Sequence, residues 1–316
     1  MQAVVTGCAG FIGSHLTEAL LAAGHRVVGI DSLSENYSTS IKLSNLSNAR
    51  DLESFTFIEG DVASDLLPRV VGDADVVFHL AGEPGVRTSW GSHFSSYLRN
   101  NVLATQQLLE ALRDSPARVV FASSSSVYGQ AQRLPTPEVT IPRPFSPYGV
   151  TKLAAEHLCQ LYAGNYGLDV VCLRYFSVFG PRQRPDMAFH RFCRAALERT
   201  PLTVLGDGSQ MRDFTSVSDI IKATVAAGVA TTASAGIYNI GAGSQVSLVD
   251  AIETLESIVG RPLDVRFTSK ELGDVAATGA DIANARRDLD YVPLGAFEDG
   301  LRDELEWVER NLPLLV

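Results

Sequence analysis

A chain of 316 residues is long enough for one large domain or two intimately joined ones. Hydrophobic residues make up 46% and charged residues 20%, so there is ample material for a core. The formal charge of −10 argues against nucleic acid or an anionic membrane as partner, but leaves a small phosphate-bearing ligand open.

The chain enters a strand almost at once, over residues 1–6, and no signal peptide is expected. A turn follows, Gly7-Cys8-Ala9-Gly10-Phe11-Ile12-Gly13, and then residues 14–23 have helical spacing. Further short apolar strands are expected over 26–30, 55–59, 75–80, 118–122 and 168–174, with helices notably over 101–113 and 148–166. Strands alternating with helices imply a parallel sheet covered on both faces, an α/β fold. No apolar run reaches the ~18 residues of a membrane helix. Cys8, Cys159, Cys172 and Cys193 show no metal-ligand spacing, and free thiols in a reducing cytoplasm are expected.

The glycine turn has G-x-x-G-x-x-G spacing, directly after a strand and opening a helix. Gly7 allows the tight turn, Gly10 lets a pyrophosphate approach the backbone, and Gly13 permits close helix–sheet packing. Asp31 ends the next strand, where a carboxylate accepts both ribose hydroxyls of an adenosine. A 2′-phosphate there would meet like charge, so the expected cofactor is NAD.

Tyr148 and Lys152 lie four apart on an expected helix and share one face. A free phenol, with a pKa of about 10, is too weakly acidic to serve as a base at neutral pH. A nearby ammonium and a positive nicotinamide ring would each favour the phenolate.

With these pieces in place, the chain resembles the extended short-chain dehydrogenase/reductases, the NAD-dependent nucleotide-sugar epimerases and dehydratases. The matching stretches are "TGCAGFIGSH", Asp31, "GDV" at 60–62, "HLAG" at 79–82, "SSSSVYG" at 123–129, "PYGVTK" at 147–152, "GDGSQMRDFTSVSD" at 206–219 and "GDV" at 273–275. The resemblance covers essentially the whole chain. It implies a Rossmann-type doubly wound parallel sheet with a smaller mixed α/β substrate domain. Residues 1–175 and about 217–240 would form the first, and 176–216 with about 241–316 the second. It further implies that Phe11, Ile12, Asp61, Val62, Leu80, Ala81, Asn101 and Lys152 approach NAD. The helices at 101–113 and 148–166 correspond to those that commonly form a homodimer interface.

By the same resemblance Ser124 is the hydroxyl that shares the substrate proton with Tyr148. Dehydratases of the family typically carry Asp-Glu at the next two positions, and decarboxylases a Glu. This chain has Ser125 and Ser126, both expected to touch the sugar, and Ser123, expected to be structural. A hydroxyl of ordinary pKa cannot replace a carboxyl in proton transfer to carbon, which argues for epimerisation over elimination.

The stretch from Tyr175 to Ala188, "YFSVFGPRQRPDMA", is similar to that of UDP-glucuronate 4-epimerases, which have Ser or Thr where most relatives have Asn. A C6 carboxylate wants donors, and Ser177 with the Arg184 guanidinium would supply them, Arg182 being the weaker candidate. Arg212 matches the arginine that pairs with the diphosphate, and Asp274 a carboxylate near the uridine ribose. Where many members carry an Arg three residues earlier, this chain has Glu271. A uracil slot near Thr203 and Val204 rests on the resemblance alone. The expected substrate is a UDP-sugar, most specifically UDP-glucuronate. The rivals are a UDP-glucose or UDP-N-acetylglucosamine 4-epimerase, a UDP-glucuronate decarboxylase, and a non-catalytic NAD-sensing regulator. His15, His79 and His190 read as structural, and the helix expected over 298–312 as a core helix through Leu301, Leu305, Val308 and Leu312.

Overall fold

The computed structural model describes residues 1–314 apart from 65, 232, 234 and 270–272. The chain opens with β1 (Gln2–Thr6), α1 (Phe11–Ala22) and β2 (Arg26–Asp31). Two short helices, α2 (Thr39–Asn45) and α3 (Ser47–Arg50), lead to β3 (Phe55–Glu59), α4 (Leu67–Val71) and β4 (Val76–His79). Then come α5 (Phe94–Tyr97), α6 (Ala104–Leu112), β5 (Arg118–Ser124), the long α7 (Pro147–Tyr166) and β6 (Val170–Tyr175).

All six strands, together with a later one, form a seven-stranded parallel sheet. Near-continuous burial along β1, β4, β5 and β6 fits a sheet covered on both faces. One apolar cluster fills the face under α1 and includes Phe11, Leu16, Leu20 and Phe78. Another fills the face under α6 and α7 and includes Leu108, Leu109, Phe121 and Tyr162. The strand order reverses between β1 and β4, and a crevice opens there beyond the carboxyl ends of the strands.

The helix expected from residue 101 begins differently. Residues Leu98–Leu103 form a wider π-turn before α6 takes over. Such turns often mark functional sites, and this one carries Asn101. α7 is well defined by its ends. Ser146 caps it by accepting from the Gly149 N–H at 3.1 Å, Pro147 opens it, and Gly167 closes it at φ 73°.

The rest of the chain forms β7 (Val178–Phe179), α8 (Ala188–Glu198), β8 (Leu202–Leu205), β9 (Met211–Arg212) and β10 (Thr215–Ser216). α9 (Val217–Val229) and β11 (Ile237–Ile240) follow, and β11 joins the large sheet beside β6. Then come β12 (Val246–Ser247), α10 (Leu248–Val259), β13 (Val265–Thr268), α11 (Ala283–Leu289) and α12 (Phe297–Asn311). Three two-stranded pairs form, β7 with β10, β9 with β12, and β8 with β13. A third core joins Phe179, Phe189, Phe192 and Leu255 to Leu301 and Val308 of α12, with Leu305 and Leu312 packed against it. The C-terminal helix is therefore a core helix, as its spacing indicated. All four cysteines are buried and free.

Candidate active site

One deep cleft runs along the carboxyl ends of the strands, and most of the site residues expected from sequence line it. At its floor is the glycine turn. Gly7 has φ 71°, and a Cβ there would sit 2.9 Å from the Ala81 nitrogen. A Cβ on Gly13 would lie 2.1 Å from the Gly7 carbonyl oxygen, so α1 can start this close only with glycine. On Gly10 a Cβ would meet only the Gly7 oxygen, at 3.2 Å, which leaves its other side open to the cleft. Phe11 and Ile12 line the cleft at the start of α1. A dinucleotide pyrophosphate fits here, because the helix N-terminus offers unpaired N–H groups to an anion.

Asp31 stands at the end of β2. Its carboxylate accepts from the Ala9 N–H at 3.0 Å and the Leu33 N–H at 2.9 Å, so it is fixed before any ribose arrives. Asp61 and Val62 form the adjoining wall, and Asp61 pairs with Arg99 at 2.6 Å. Leu80 and Ala81 give their N–H groups to the Thr6 hydroxyl at 3.1 and 3.0 Å.

Asn101 is an exception. It is buried behind Gly82 and does not line the cleft. Its oxygen accepts from the Glu83 N–H at 2.6 Å, and its amide donates to the Glu83 carbonyl and the Thr151 hydroxyl, each at 3.0 Å. Those bonds tie the side chain to the wall of the cleft. Its neighbour Asn100 is the one exposed to the cleft. The uracil slot was expected near Thr203 and Val204. Both sit in β8, paired with β13, and neither lines the cleft. Glu271 lies outside the described residues.

At the centre, β5 ends in Ser123 and Ser124, and the chain turns so that Ser125 and Ser126 also face the cleft. Ser123 points the other way and donates to Glu156 at 2.7 Å. Ser124 accepts from the Ser126 N–H at 3.2 Å and reaches the phenol of Tyr148. Burial pushes the Tyr148 phenol above its ordinary value of 10, while the Ser124 hydrogen bond and the Arg184 charge pull it back. Lys152 donates to the Ala122 carbonyl at 2.9 Å, and burial lowers its pKa from 10.5 to about 8. The sequence suggests Lys152 as a cation that favours phenolate, and the Arg184 charge acts on Tyr148 in the same direction.

Arg184 lines the cleft with its side chain 17% exposed, while Asp186 is 63% exposed. Asp186 accepts from Nε at 3.0 Å and from one terminal nitrogen at 2.9 Å. The fork holds one edge of the guanidinium, and its charge still acts on Tyr148, Tyr97 and Lys42. Ser177 lines the same part of the cleft. At the far end Arg212 is paired with Asp274. Arg182 instead turns away from the cleft and binds Glu18.

Several residues in or just behind the cleft carry no motif that sequence reasoning could use. Lys42 of α2 is buried and donates to Ser34 and Asn36, the latter at 3.0 Å. Glu83 accepts from Asn100 at 3.2 Å. The Tyr97 ring stands edge-on to Tyr148 with centroids 6.3 Å apart, its hydroxyl donating to the Pro84 carbonyl at 2.9 Å. Lys42 sits in the short α2, Glu83 in the loop after β4 and Tyr97 at the end of the short α5, where no long periodicity marks them.

A hydroxyl, a phenol and an amine gathered beside a dinucleotide turn can move a proton on or off an alcohol oxygen next to a hydride acceptor. Fold and site together define a pyridine-nucleotide-dependent enzyme of Rossmann type. The chain belongs to the NAD dependent epimerase/dehydratase family, whose sequence pattern matches residues 3–241. It is 44% identical over 310 residues to the Uncharacterized UDP-glucose epimerase YtcB of Bacillus subtilis (strain 168), covering 98% of each chain. It is 34% identical to the UDP-glucuronate 4-epimerase of Thermodesulfobacterium geofontis (strain OPF15), covering 99% of this chain and 97% of that one. Among solved structures, that of UDP-glucuronic acid 4-epimerase from Bacillus cereus, in complex with UDP-glucuronic acid and NAD, is 44% identical. It superposes with a TM-score of 0.95 over 98% of this chain and 99% of that one.

Proposed function

We propose that the chain is an NAD-dependent UDP-glucuronate 4-epimerase, interconverting UDP-glucuronate and UDP-galacturonate through a transient 4-keto sugar. The observation that carries this reading is the cleft-lining Arg184, forked by Asp186 and acting by its charge on Tyr148, in a cleft whose positions 125 and 126 are serines. A uronate carboxylate would find a guanidinium and the Ser177 hydroxyl there.

The glycine turn, Asp31, Asp61, Val62, Leu80 and Ala81 would hold NAD, which supplies a reversible hydride acceptor at C4 when bound. Tyr148 takes the proton from the C4 hydroxyl oxygen, with Ser124 sharing the hydrogen bond, and returns it to the alcohol of inverted configuration. Lys152 supports the nicotinamide ribose, and Arg212 binds the diphosphate, releasing Asp274 towards the uridine ribose. The 4-keto sugar must present both faces, so the diphosphate is the anchor about which it turns. The C4 ketone is β to the C6 carboxylate, so carbon dioxide can leave. Arg184 and Ser177 hold the carboxylate with its C–C bond out of line with the carbonyl π system.

We assign residues 1–175 with about 217–240 to the cofactor half and the remainder to the sugar-nucleotide half, supported by the pairing of β11 with β6. We also propose a cytoplasmic homodimer, supported by four buried free thiols and by exposed apolar residues Leu103, Val150 and Leu161 near and along α6 and α7. Among the described residues no helix is long and apolar enough to cross a membrane.

The deciding experiment is NMR analysis of products from purified protein with NAD and UDP-glucuronate. UDP-galacturonate is the expected product, with UDP-glucose left untouched in a parallel tube. Conversion of UDP-glucose alone would overturn the role of Arg184, and UDP-xylose with carbon dioxide would overturn the argument from the serines. Arg184→Ala is expected to release UDP-pentose or to lose uronate binding.

A further inference from the structure

Arg182 has φ 67°, a left-handed backbone that a residue with a Cβ rarely adopts. Such a residue persists when its surroundings over-determine it. Here they do so from both sides of the cleft. His15 donates from Nε2 to the Pro181 carbonyl at 2.8 Å. Arg182 donates to both oxygens of Glu18, at 2.8 and 3.0 Å, and Asn48 holds Glu18 in place at 3.1 Å. On the other side Glu304 of α12 accepts from the Gly180 N–H at 2.9 Å.

His15 and Glu18 both belong to α1, the helix that begins at the glycine turn. Phe11, the first residue of that helix, lines the cleft and meets the His15 ring edge-on at 6.1 Å. Two residues beyond Arg182 is Arg184. The cofactor helix and the arginine loop are therefore joined by one short set of bonds.

The join is a costly way to pack a helix against a loop. The other terminal nitrogen of Arg182 is buried and has no hydrogen-bond partner among the described residues. An apolar pair would fill the same space without that penalty or the strained backbone. What the bonds add is direction, since they fix the height and rotation of the segment from which Arg184 projects.

We infer that His15, Glu18 and Arg182 are positioning residues that tie the cofactor helix to the Arg184 loop, and so set where the uronate carboxylate is held. This rests on reading Arg184 as the partner of that carboxylate. Burial and the Arg182 charge hold the His15 pKa near 4, so at neutral pH the ring is uncharged and its Nε2–H serves the loop carbonyl.

The test uses NAD-loaded enzyme and four proteins: wild type, Arg182→Gly, Glu18→Gln and Arg184→Ala. Glycine at 182 relieves the strained backbone while removing the link, and Glu18→Gln keeps the shape while weakening it, so a folding defect in one variant would not be shared by the other. The readouts are KM for UDP-glucuronate, inhibition by UDP, and the fraction of UDP-pentose among products. Arg182→Gly and Glu18→Gln are expected to raise KM about tenfold and to release UDP-pentose, with UDP inhibition unchanged. Unchanged KM and product in both, while Arg184→Ala alters them, would overturn the inference and leave the proposed function standing. Parallel weakening of UDP and UDP-glucuronate would also overturn it, because a general packing role predicts that result. An unaltered Arg184→Ala enzyme would overturn the proposed function itself.

Discussion

Glu156 and Arg174 form a buried pair, with both carboxylate oxygens engaged and a bond of 3.0 Å from Nε. Glu156 lies on α7 one turn beyond Lys152, which is one turn beyond Tyr148. The same carboxylate accepts from Ser123 on β5, and Arg174 donates on to the Tyr128 hydroxyl at 2.7 Å. Tyr128 in turn donates to Asn239 of β11 at 2.7 Å. One polar chain thus locks the helix of Tyr148 to the strand of Ser124 from behind.

Removing half of that pair leaves an uncompensated buried charge. Glu156→Gln is expected to cost about 3–5 kcal/mol of stability. Replacing both partners, as Glu156→Met with Arg174→Met, is expected to recover most of it, because two apolar side chains need no partner. Urea unfolding of the three proteins reads this directly. Equal losses in the single and double variants would show that the pair itself supplies the stability.

Tyr148→Phe removes only the phenolic oxygen from the cleft. The turnover rate is expected to fall by about 10²–10⁴-fold while UDP-sugar binding stays within a few-fold. Steady-state kinetics and equilibrium binding on the same preparation separate the two. A variant with wild-type turnover would mean that another group moves the C4 proton, and the regulator reading would return.

Lys152 carries a pH signature. Its pKa falls from 10.5 to about 8 on folding, so the unfolded chain binds more protons between those values. Stability therefore rises with pH across that window, and the penalty of a buried ammonium is present in full below pH 8. Lys152→Met is expected to be more stable than wild type at pH 7, by at most about 3 kcal/mol, and to lose that advantage towards pH 10.5. Chemical denaturation at pH 7, 9 and 10.5 tests it; a constant difference would place the amine in a more polar setting.

Buried histidines set the acid limb. His79 is held between the hydroxyls of Thr6 and Thr105 at 2.8 and 3.0 Å, and burial drops its pKa from 6.5 to about 3. The folded chain keeps the ring neutral while the unfolded chain protonates, so stability is lost as pH falls from 6.5 towards 3. His79→Asn is expected to be less stable at pH 7 and to show a flatter slope below 6.5, measured as unfolding free energy against pH.

The strands of the large sheet and the glycine turn were legible because apolar runs and fixed spacings carry them. Tyr148, Lys152, Ser124 and Arg184 were legible because their motifs place them at strand ends and on one helix face. That Asn101 lies behind the cleft wall was not legible, since a motif position does not reveal that its amide bonds to Glu83. That Thr203 and Val204 sit in a paired strand was not legible either, as nothing local distinguishes a cleft residue from one in a paired strand. Lys42, Glu83 and Tyr97 were missed because their places depend on loops folding over the sheet. The added charge of Arg184 on Tyr148 was missed because Arg184 is distant in sequence and near in space.

The position of β11 bears on how the chain is made. β6 ends at Tyr175, but its outer neighbour spans Ile237–Ile240, after β7 to β10 have been built. A nascent chain released up to about residue 230 has six sheet strands with a bare, apolar edge along β6. Such an edge invites pairing with another chain. The segment that shapes the sugar end of the cleft must therefore emerge and fold aside before the sheet can be sealed, so the order of synthesis sets an interval in which the protein is most exposed to aggregation.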